Sequence, residues 1–248
     1  MKTIAALAAG VLALALAGCT TMQSYQAAIT DPARPEADVK RDADRKPMEM
    51  LAIAEIMPGD KVVDLIPGGG YFTRIFARAV GPDGTVYAYQ PSELDSLYKR
   101  PIPILAVAAD PAYTRSQAPP SADRRLQIAR TRRSRVDLHR ELSRHVPEVF
   151  CPVDVAKLNK EIYAALKPGG LYVVLDHSAR EGSGLTDTDK LHRIDEAKVR
   201  ADLEAAGFEF VGESNTLRNP NDPRTANVFD PGIRGHTDQF ILKFRRPR

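Results

Sequence analysis

Three consecutive glycines, Gly68-Gly69-Gly70, separate the short apolar run Lys61–Ile66 from a stretch with helical spacing, Tyr71–Val80. Strand, glycine turn and helix in that order bring backbone N–H groups to a ligand at a helix N-terminus, where the dipole favours negative charge. Glycines let a ligand approach the backbone closely and accept positive φ. The same pattern also makes an ordinary tight turn, so by itself it is a weak signal. A second polar group follows the run Leu171–Leu175: Asp176-His177, Glu181-Gly182-Ser183-Gly184 and His192-Arg193. A third spans 214–236, with Arg218, Asn219, Asn221, Asp222, Arg224 and Asn227. In an open α/β sheet a ligand lies beyond the carboxyl ends of the parallel strands, where these three segments should meet. His177 is the candidate base or substrate ligand, since an imidazole titrates near neutrality. Its alternative role is to cap the strand end through Asp176. His192 reads as structural, and a metal held by the two histidines with Asp176 lacks a compact ligand spacing. Cys151, beside Pro152 and without a histidine partner at a recognisable spacing, reads as a bystander.

The elements that must position these groups follow from periodicity. Lys61–Ile66 is β-branched and too short for a helix, as in a buried parallel strand. Tyr71–Val80 puts Phe72, Ile75, Phe76 and Ala79 on one face, and Gly81-Pro82-Asp83-Gly84 turns the chain into a second strand, Thr85–Tyr89. Together they make a βαβ unit. Upstream, 38–55 contains a helix starting near Pro47, with Met50, Leu51, Ala54 and Ile56 apolar. The charged run before it, Arg41, Asp42, Arg45 and Lys46, is a solvated face or a lid over the glycine turn. Ser92–Tyr98 suits a short helix, and Ile102–Ala109 is the expected third strand with its surroundings. Downstream, helices are expected over Asp154–Leu166 and Ile194–Ala206, and strands over Leu171–Leu175 and Phe208–Val211. An antiparallel last strand is expected over Thr237–Phe244.

The middle is irregular. Arg115–Arg144 holds nine arginines against three acids, Asp123, Asp137 and Glu141. No apolar β-branched run between Thr114 and Glu148 qualifies as a fourth strand, and Leu126–Glu141 suits a helix. The block reads as a basic insertion for an anionic partner such as lipid head groups, as a solvated linker, or, the favoured reading, as a local change of reading frame.

The 248 residues suit one globular domain, and a net charge of +3 argues against nucleic acid as a partner. Met1–Gly18 reads as a signal peptide: Lys2 is followed by the uncharged stretch Ile4–Ala17, shorter than a membrane span. It ends in Leu16-Ala17-Gly18-Cys19, which resembles a bacterial lipobox. The resemblance implies cleavage before Cys19, its lipidation, and a membrane anchor. The expected organisation is a signal peptide (1–18), a lipidated tether (19–37) and a domain (38–248) with a basic segment at 114–150.

The order Pro58-Gly59-Asp60-Lys61-Val62-Val63-Asp64-Leu65, glycine turn, helix, Gly84-Thr85-Val86-Tyr87-Ala88 resembles class I S-adenosylmethionine-dependent methyltransferases. So does Leu166-Lys167-Pro168-Gly169-Gly170-Leu171 leading into Tyr172–Asp176. More narrowly, the chain is similar to bacterial exported lipoproteins described as predicted methyltransferases. That likeness runs through Asp176-His177, Leu191-His192-Arg193-Ile194-Asp195 and Thr237-Asp238-Gln239-Phe240. The resemblance implies a Rossmann-like three-layer αβα fold with a mostly parallel sheet and an antiparallel last strand. It implies S-adenosylmethionine held by Asp64, Pro67, Gly68, Gly69, Gly70, Tyr71 and Gln90, with His177 and Asp176 as catalytic candidates. The methyl acceptor, a small molecule or a protein, is unknown. Two positions depart from the family pattern. Ile66 stands where the first glycine of the turn falls, and Gln90 replaces the acid that accepts from the ribose hydroxyls, which removes charge assistance. These departures support an alternative, a non-catalytic envelope lipoprotein that uses the fold as a binding module. A nicotinamide-dependent oxidoreductase fits less well, because Thr73 replaces the last glycine of that motif. The expected location is the bacterial cell envelope, facing the periplasm. In cells fed labelled fatty acid, the protein is expected to carry label, and Cys19→Ser to abolish both the label and signal-peptide processing; wild-type protein without label, or a Cys19→Ser variant processed normally, refutes lipidation.

Overall fold

A computed structural model describes residues 21–89, 103–113, 116–117, 134–139 and 154–248. The chain opens with α1, residues 21–29, whose Tyr25 and Ala28 are buried. This part of the expected tether therefore packs into the core. Three helices rather than one follow: α2 (Glu36–Val39), α3 (Asp42–Arg45) and α4 (Pro47–Ala54). Pro47 sits at the start of α4, where its missing N–H costs nothing. Then come β1 (Lys61–Leu65), α5 (Tyr71–Ala79) and β2 (Thr85–Tyr89), the expected βαβ unit.

The middle differs from its sequence reading. Pro103–Ala109, expected as the third strand, is helix α6, with Ile104 and Val107 buried against α5. The third strand is the short β3 (Ser116–Gln117), and a fourth does exist: β4 (Ser134–His139) pairs with its neighbours on both sides. It lies inside the segment 126–141 expected to be helical. A central parallel strand normally reads as a continuous apolar run. Ser134-Arg135-Val136-Asp137-Leu138-His139 alternates instead, and Val136 and Leu138 also suit a helix face. The fourth strand that no apolar run had marked is thus present. Ser92–Tyr98 lies outside the described residues.

After the middle come α7 (Val155–Ala165), β5 (Leu171–His177), α8 (Thr188–Leu191), α9 (Glu196–Ala205), β6 (Glu209–Ser214) and β7 (Gln239–Arg245). Asp154 caps α7 by accepting from Lys157 N at 2.9 Å, and Asp195 caps α9 by accepting from Ala197 N at 3.0 Å. The sheet order is β3-β2-β1-β4-β5-β7-β6, parallel from β3 to β5, with β7 inserted antiparallel between β5 and β6. Successive strand residues point to opposite faces. Val62, Val86, Val173 and Leu175 pack on one face with α1, α4, α5 and α6; Val63, Leu65, Tyr172, Val174 and Phe240 pack on the other with α7 and α9.

Gly70 joins β1's turn to α5 in the left-handed region (φ 78°), and a Cβ there would sit 2.8 Å from Val107 Cγ2. Gly69 is exposed, and a Cβ on it would meet nothing within 4 Å. In urea denaturation Gly70→Ala should lose about 1–2 kcal/mol or more, whereas Gly69→Ala should change stability by less than about 0.5 kcal/mol. Equal effects would mean that α6 does not press on the turn.

Candidate functional site

The glycine turn sits at the carboxyl end of β1, as the motif requires. Ile66 and Gly68 both adopt left-handed backbone, φ 57° and 56°. For a β-branched residue this conformation costs about 1–2 kcal/mol. Two contacts hold Ile66 there: its N–H donates to Tyr89 O at 2.7 Å, and its side chain is buried with Leu65 and Ile162. A glycine could adopt this backbone without strain, and here burial of the larger side chain substitutes for that freedom. α5 begins at Tyr71 with Gly70 at its N-cap and no side-chain cap from that residue, while the Thr73 N–H in its first turn is engaged by Asp64.

Asp64, the last polar residue of β1, is buried on the α5 face. It accepts from the Thr73 hydroxyl, and its Oδ1 has no hydrogen-bond partner among the described residues. Burial pushes its carboxyl up to about 7, against the opposing pull of the Thr73 hydrogen bonds and the Arg45 charge. Asp64 is therefore a proton-holding group near neutral pH and is tied to α5.

Against the first turn of α5 lies the charged run before α4, a partly exposed face that is nonetheless tied to Tyr71 and Phe72. Tyr71 Oη donates to Asp42 at 2.6 Å, and Arg34 grips the same carboxylate with both terminal nitrogens, at 2.9 and 2.6 Å. Arg45 stacks over the Tyr71 ring at 4.3 Å and the Phe72 ring at 4.9 Å. Arg74 pairs with Asp38 and donates to Gly69 O at 2.9 Å. Burial first, and then Asp42, raises the Tyr71 phenol above its ordinary range. Burial alone would raise the Asp42 carboxyl too, but the Arg34 and Tyr71 hydrogen bonds overturn that and lower it. A cavity of about 60 Å³ remains beneath, lined by Arg41, Asp44, Arg45, Leu175, Leu217 and Gln239 among others.

The second and third polar segments meet as expected. Arg193 is fully buried and bridges to Asp222 with both terminal nitrogens, at 2.8 and 3.2 Å. It also donates to Ser178 O and Ala226 O at 3.0 and 2.9 Å. Asp222 accepts further from the N–H groups of Asp238 and Arg224, at 2.6 and 2.9 Å. Burial would raise its carboxyl, but these bonds hold it below the usual range. Asp176 and His177 are both buried, and as successive residues of β5 they point to opposite faces of the sheet. Asp176 accepts from His177 N at 2.7 Å, and Thr237 Oγ1 lies 2.7 Å from His177 Nδ1. The His177 and His192 ring centres are 6.4 Å apart.

Of the residues expected to hold a ligand, Asp64, Pro67, Gly68, Gly69, Gly70 and Tyr71 come together; Gln90 and Cys19 lie outside the described residues. Arg34 escaped sequence reasoning; Thr73 and Thr237 were marked there only as a motif departure and as part of the last strand, and Arg193 and Asp222 as members of polar runs. Asp222 looks like a turn residue before Pro223, and only its burial marks it. A larger cavity, about 300 Å³, opens on the α9 side between Ser178, Asp195, Arg200, Glu213 and Arg224. Charges around it are partly matched, with Arg224 on Asp238 at 2.8 Å and Arg200 on Glu204 at 2.9 Å. Among the described residues no group of three or more His, Cys, Asp or Glu side chains could hold a metal, and no helix is long and apolar enough to cross a membrane.

No protein-family model and no curated protein matches the sequence. Solved structures do match. A SAM-dependent methyltransferase from Aquifex aeolicus superposes with a TM-score of 0.55 at 14% identity, over 83% of this chain and 97% of that one. A putative sarcosine dimethylglycine methyltransferase from Galdieria sulphuraria gives 0.52 at 16% identity, over 83% and 85%. The [4+2]-cyclase SpnF gives 0.55 at 17% identity, over 87% and 85%. At these identities the likeness establishes a methyltransferase-like α/β fold.

The ionisation of Asp64 yields a signed prediction. Its folded carboxyl holds a proton up to about pH 7, while the unfolded one loses it near 3.8, so stability falls as pH rises between those values. Relative to wild type, Asp64→Asn should gain about 3 kcal/mol between pH 5 and 8 in urea denaturation. A pH-independent difference would mean that Asp64 is ionised in the folded state.

Proposed function

We propose that this protein is an S-adenosylmethionine-dependent methyltransferase of class I, Rossmann-like architecture, acting on an acceptor still to be identified. The observation that carries this reading is the uncapped N-terminus of α5 behind a left-handed glycine turn, in a sheet whose antiparallel β7 lies between β5 and β6. The solved methyltransferases of similar fold support it.

The residues present suit such a cofactor. Gly69 leaves open space for a ligand against the backbone, beside an α5 N-terminus whose Gly70 cap brings no side chain of its own. Arg41, Arg45 and Asp44 line one cavity, a charge set that matches the carboxylate and ammonium of an amino-acid moiety. Gln90 would accept from a ribose hydroxyl. The cofactor itself supplies a methyl group already activated on a sulfonium, so the chain's task is mainly to align donor and acceptor. His177 is nearly fully buried and engaged with Thr237, which suits a fixed scaffold better than an exposed base. The lipid anchor at Cys19 and an envelope location belong to the same proposal, and they would place the domain away from the compartment where S-adenosylmethionine is made.

The fold alone does not choose the reaction, since one structure of the same architecture is named a cyclase. Titration calorimetry of the full chain with S-adenosylmethionine and S-adenosylhomocysteine decides the matter. Saturable heat is expected, weakened about tenfold or more by Arg45→Ala, since hydrogen bonds to charged groups contribute about 1.5–3 kcal/mol. No heat from either compound at millimolar concentration refutes the proposal and leaves the non-catalytic binding module.

A further inference from the structure

The two short helices over the glycine turn are held differently from everything around them. α2 and α3 contain no buried residue. The helices flanking them are rooted in the core, α1 by Tyr25 and Ala28 and α4 by Met50, Leu51 and Ala54. Residues 36–45 thus form a strap between two fixed points, with no apolar anchor of its own. What holds the strap down is charge. Asp38 pairs with Arg74 at 2.8 Å, Asp42 receives Arg34 and the Tyr71 hydroxyl at 2.6 Å each, and Arg45 lies over the Tyr71 ring at 4.3 Å. The joint between strap and α4 is Lys46, a non-glycine residue with φ 46°.

What lies beneath the strap is the ligand end of the turn. Tyr71 and Phe72 form the first turn of α5, and Arg74 links the strap to Gly69 O. The cavity bounded by Arg41, Asp44 and Arg45 holds about 60 Å³, far below the roughly 300–1,000 Å³ of a small-molecule site. A ligand the size of a nucleoside enters that cavity, between the strap and Leu175, Leu217 and Gln239, only if the strap moves. Segments with few buried apolar contacts are the ones that open at low cost. Partly exposed ion pairs weaken as salt shortens the Debye length from about 10 Å at 0.1 M to about 3 Å at 1 M.

We propose that residues 36–45 are a charge-latched lid that swings about Lys46 and, on opening, uncovers the first turn of α5 beside the glycine turn. The inference takes the glycine turn to be the ligand site, but it does not depend on which ligand binds. Arg34 and Asp31, buried against α1 and α5, stay in place as the fixed edge from which the lid lifts.

Hydrogen exchange read by mass spectrometry on the full chain without ligand tests it. Raising NaCl from 0.1 to 1 M should speed exchange at least about threefold in 36–46 and in 69–73 together, with 61–65 unchanged as the internal reference. The double variant Asp38→Asn/Arg74→Gln should show the fast exchange already at low salt, with a smaller response to added salt. The proposal is overturned if strap exchange is indifferent to salt, or if the strap responds while 69–73 does not. A response in 61–65 of equal size also overturns it, because the event is then global unfolding. Since no cofactor is present, a failed latch is distinguishable from a failed cofactor assignment, which calorimetry reads separately.

Discussion

The carboxyl end of the sheet depends on one buried ion pair. Arg193 and Asp222 have side chains with no solvent exposure, and neither could be buried alone, since an isolated charge in such surroundings costs several kcal/mol. Each therefore requires the other and a full set of hydrogen bonds. Arg193 finds carbonyl oxygens on Ser178 and Ala226; Asp222 finds backbone N–H groups on Arg224 and Asp238. Those four partners belong to the loop after β5 and to the long loop before β7. The pair thereby sets where β7 enters the sheet and how Thr237 meets His177.

A second constraint acts at the other end of the βα turn. Three backbone requirements at alternate positions, left-handed Ile66, Gly68 and Gly70, aim the start of α5 over the end of β1. The turn leaves Asp64 buried with one carboxylate oxygen unbonded among the described residues, a group held at substantial desolvation cost. Arg45, reaching from the strap, opposes that cost. The strap and the turn are thus electrostatically coupled: the lid that covers the ligand end also offsets part of the charge beneath it.

Much of this was legible in the residues. Pro47 at the start of α4, the caps Asp154 and Asp195, and the run Leu171–Leu175 declare their elements through local chemistry. The antiparallel last strand showed itself in the alternation of Thr237–Phe244. The middle was not legible. β4 alternates polar and apolar residues where a central strand should be uniformly apolar, and α6, with Ile104 and Val107, reads equally well as a strand. Short apolar segments satisfy both periods, and only packing against α5 or pairing with β1 and β5 resolves them.

From sequence alone came the order of elements around the glycine turn, the turn itself and the polar segments that gather beyond the strands. These depend on local rules: glycine's access to positive φ, apolar periodicity and helix caps. Tertiary structure decided the rest. It showed that Asp176 and His177 face opposite sides of β5, that Ile66 tolerates a glycine's conformation because its side chain is buried, and that Asp42 and Arg45 close over Tyr71. It also made Arg193 and Asp222 partners across 29 residues of sequence. Each of these depends on burial and on which distant groups meet, and a charged residue's meaning inverts between solvent and core.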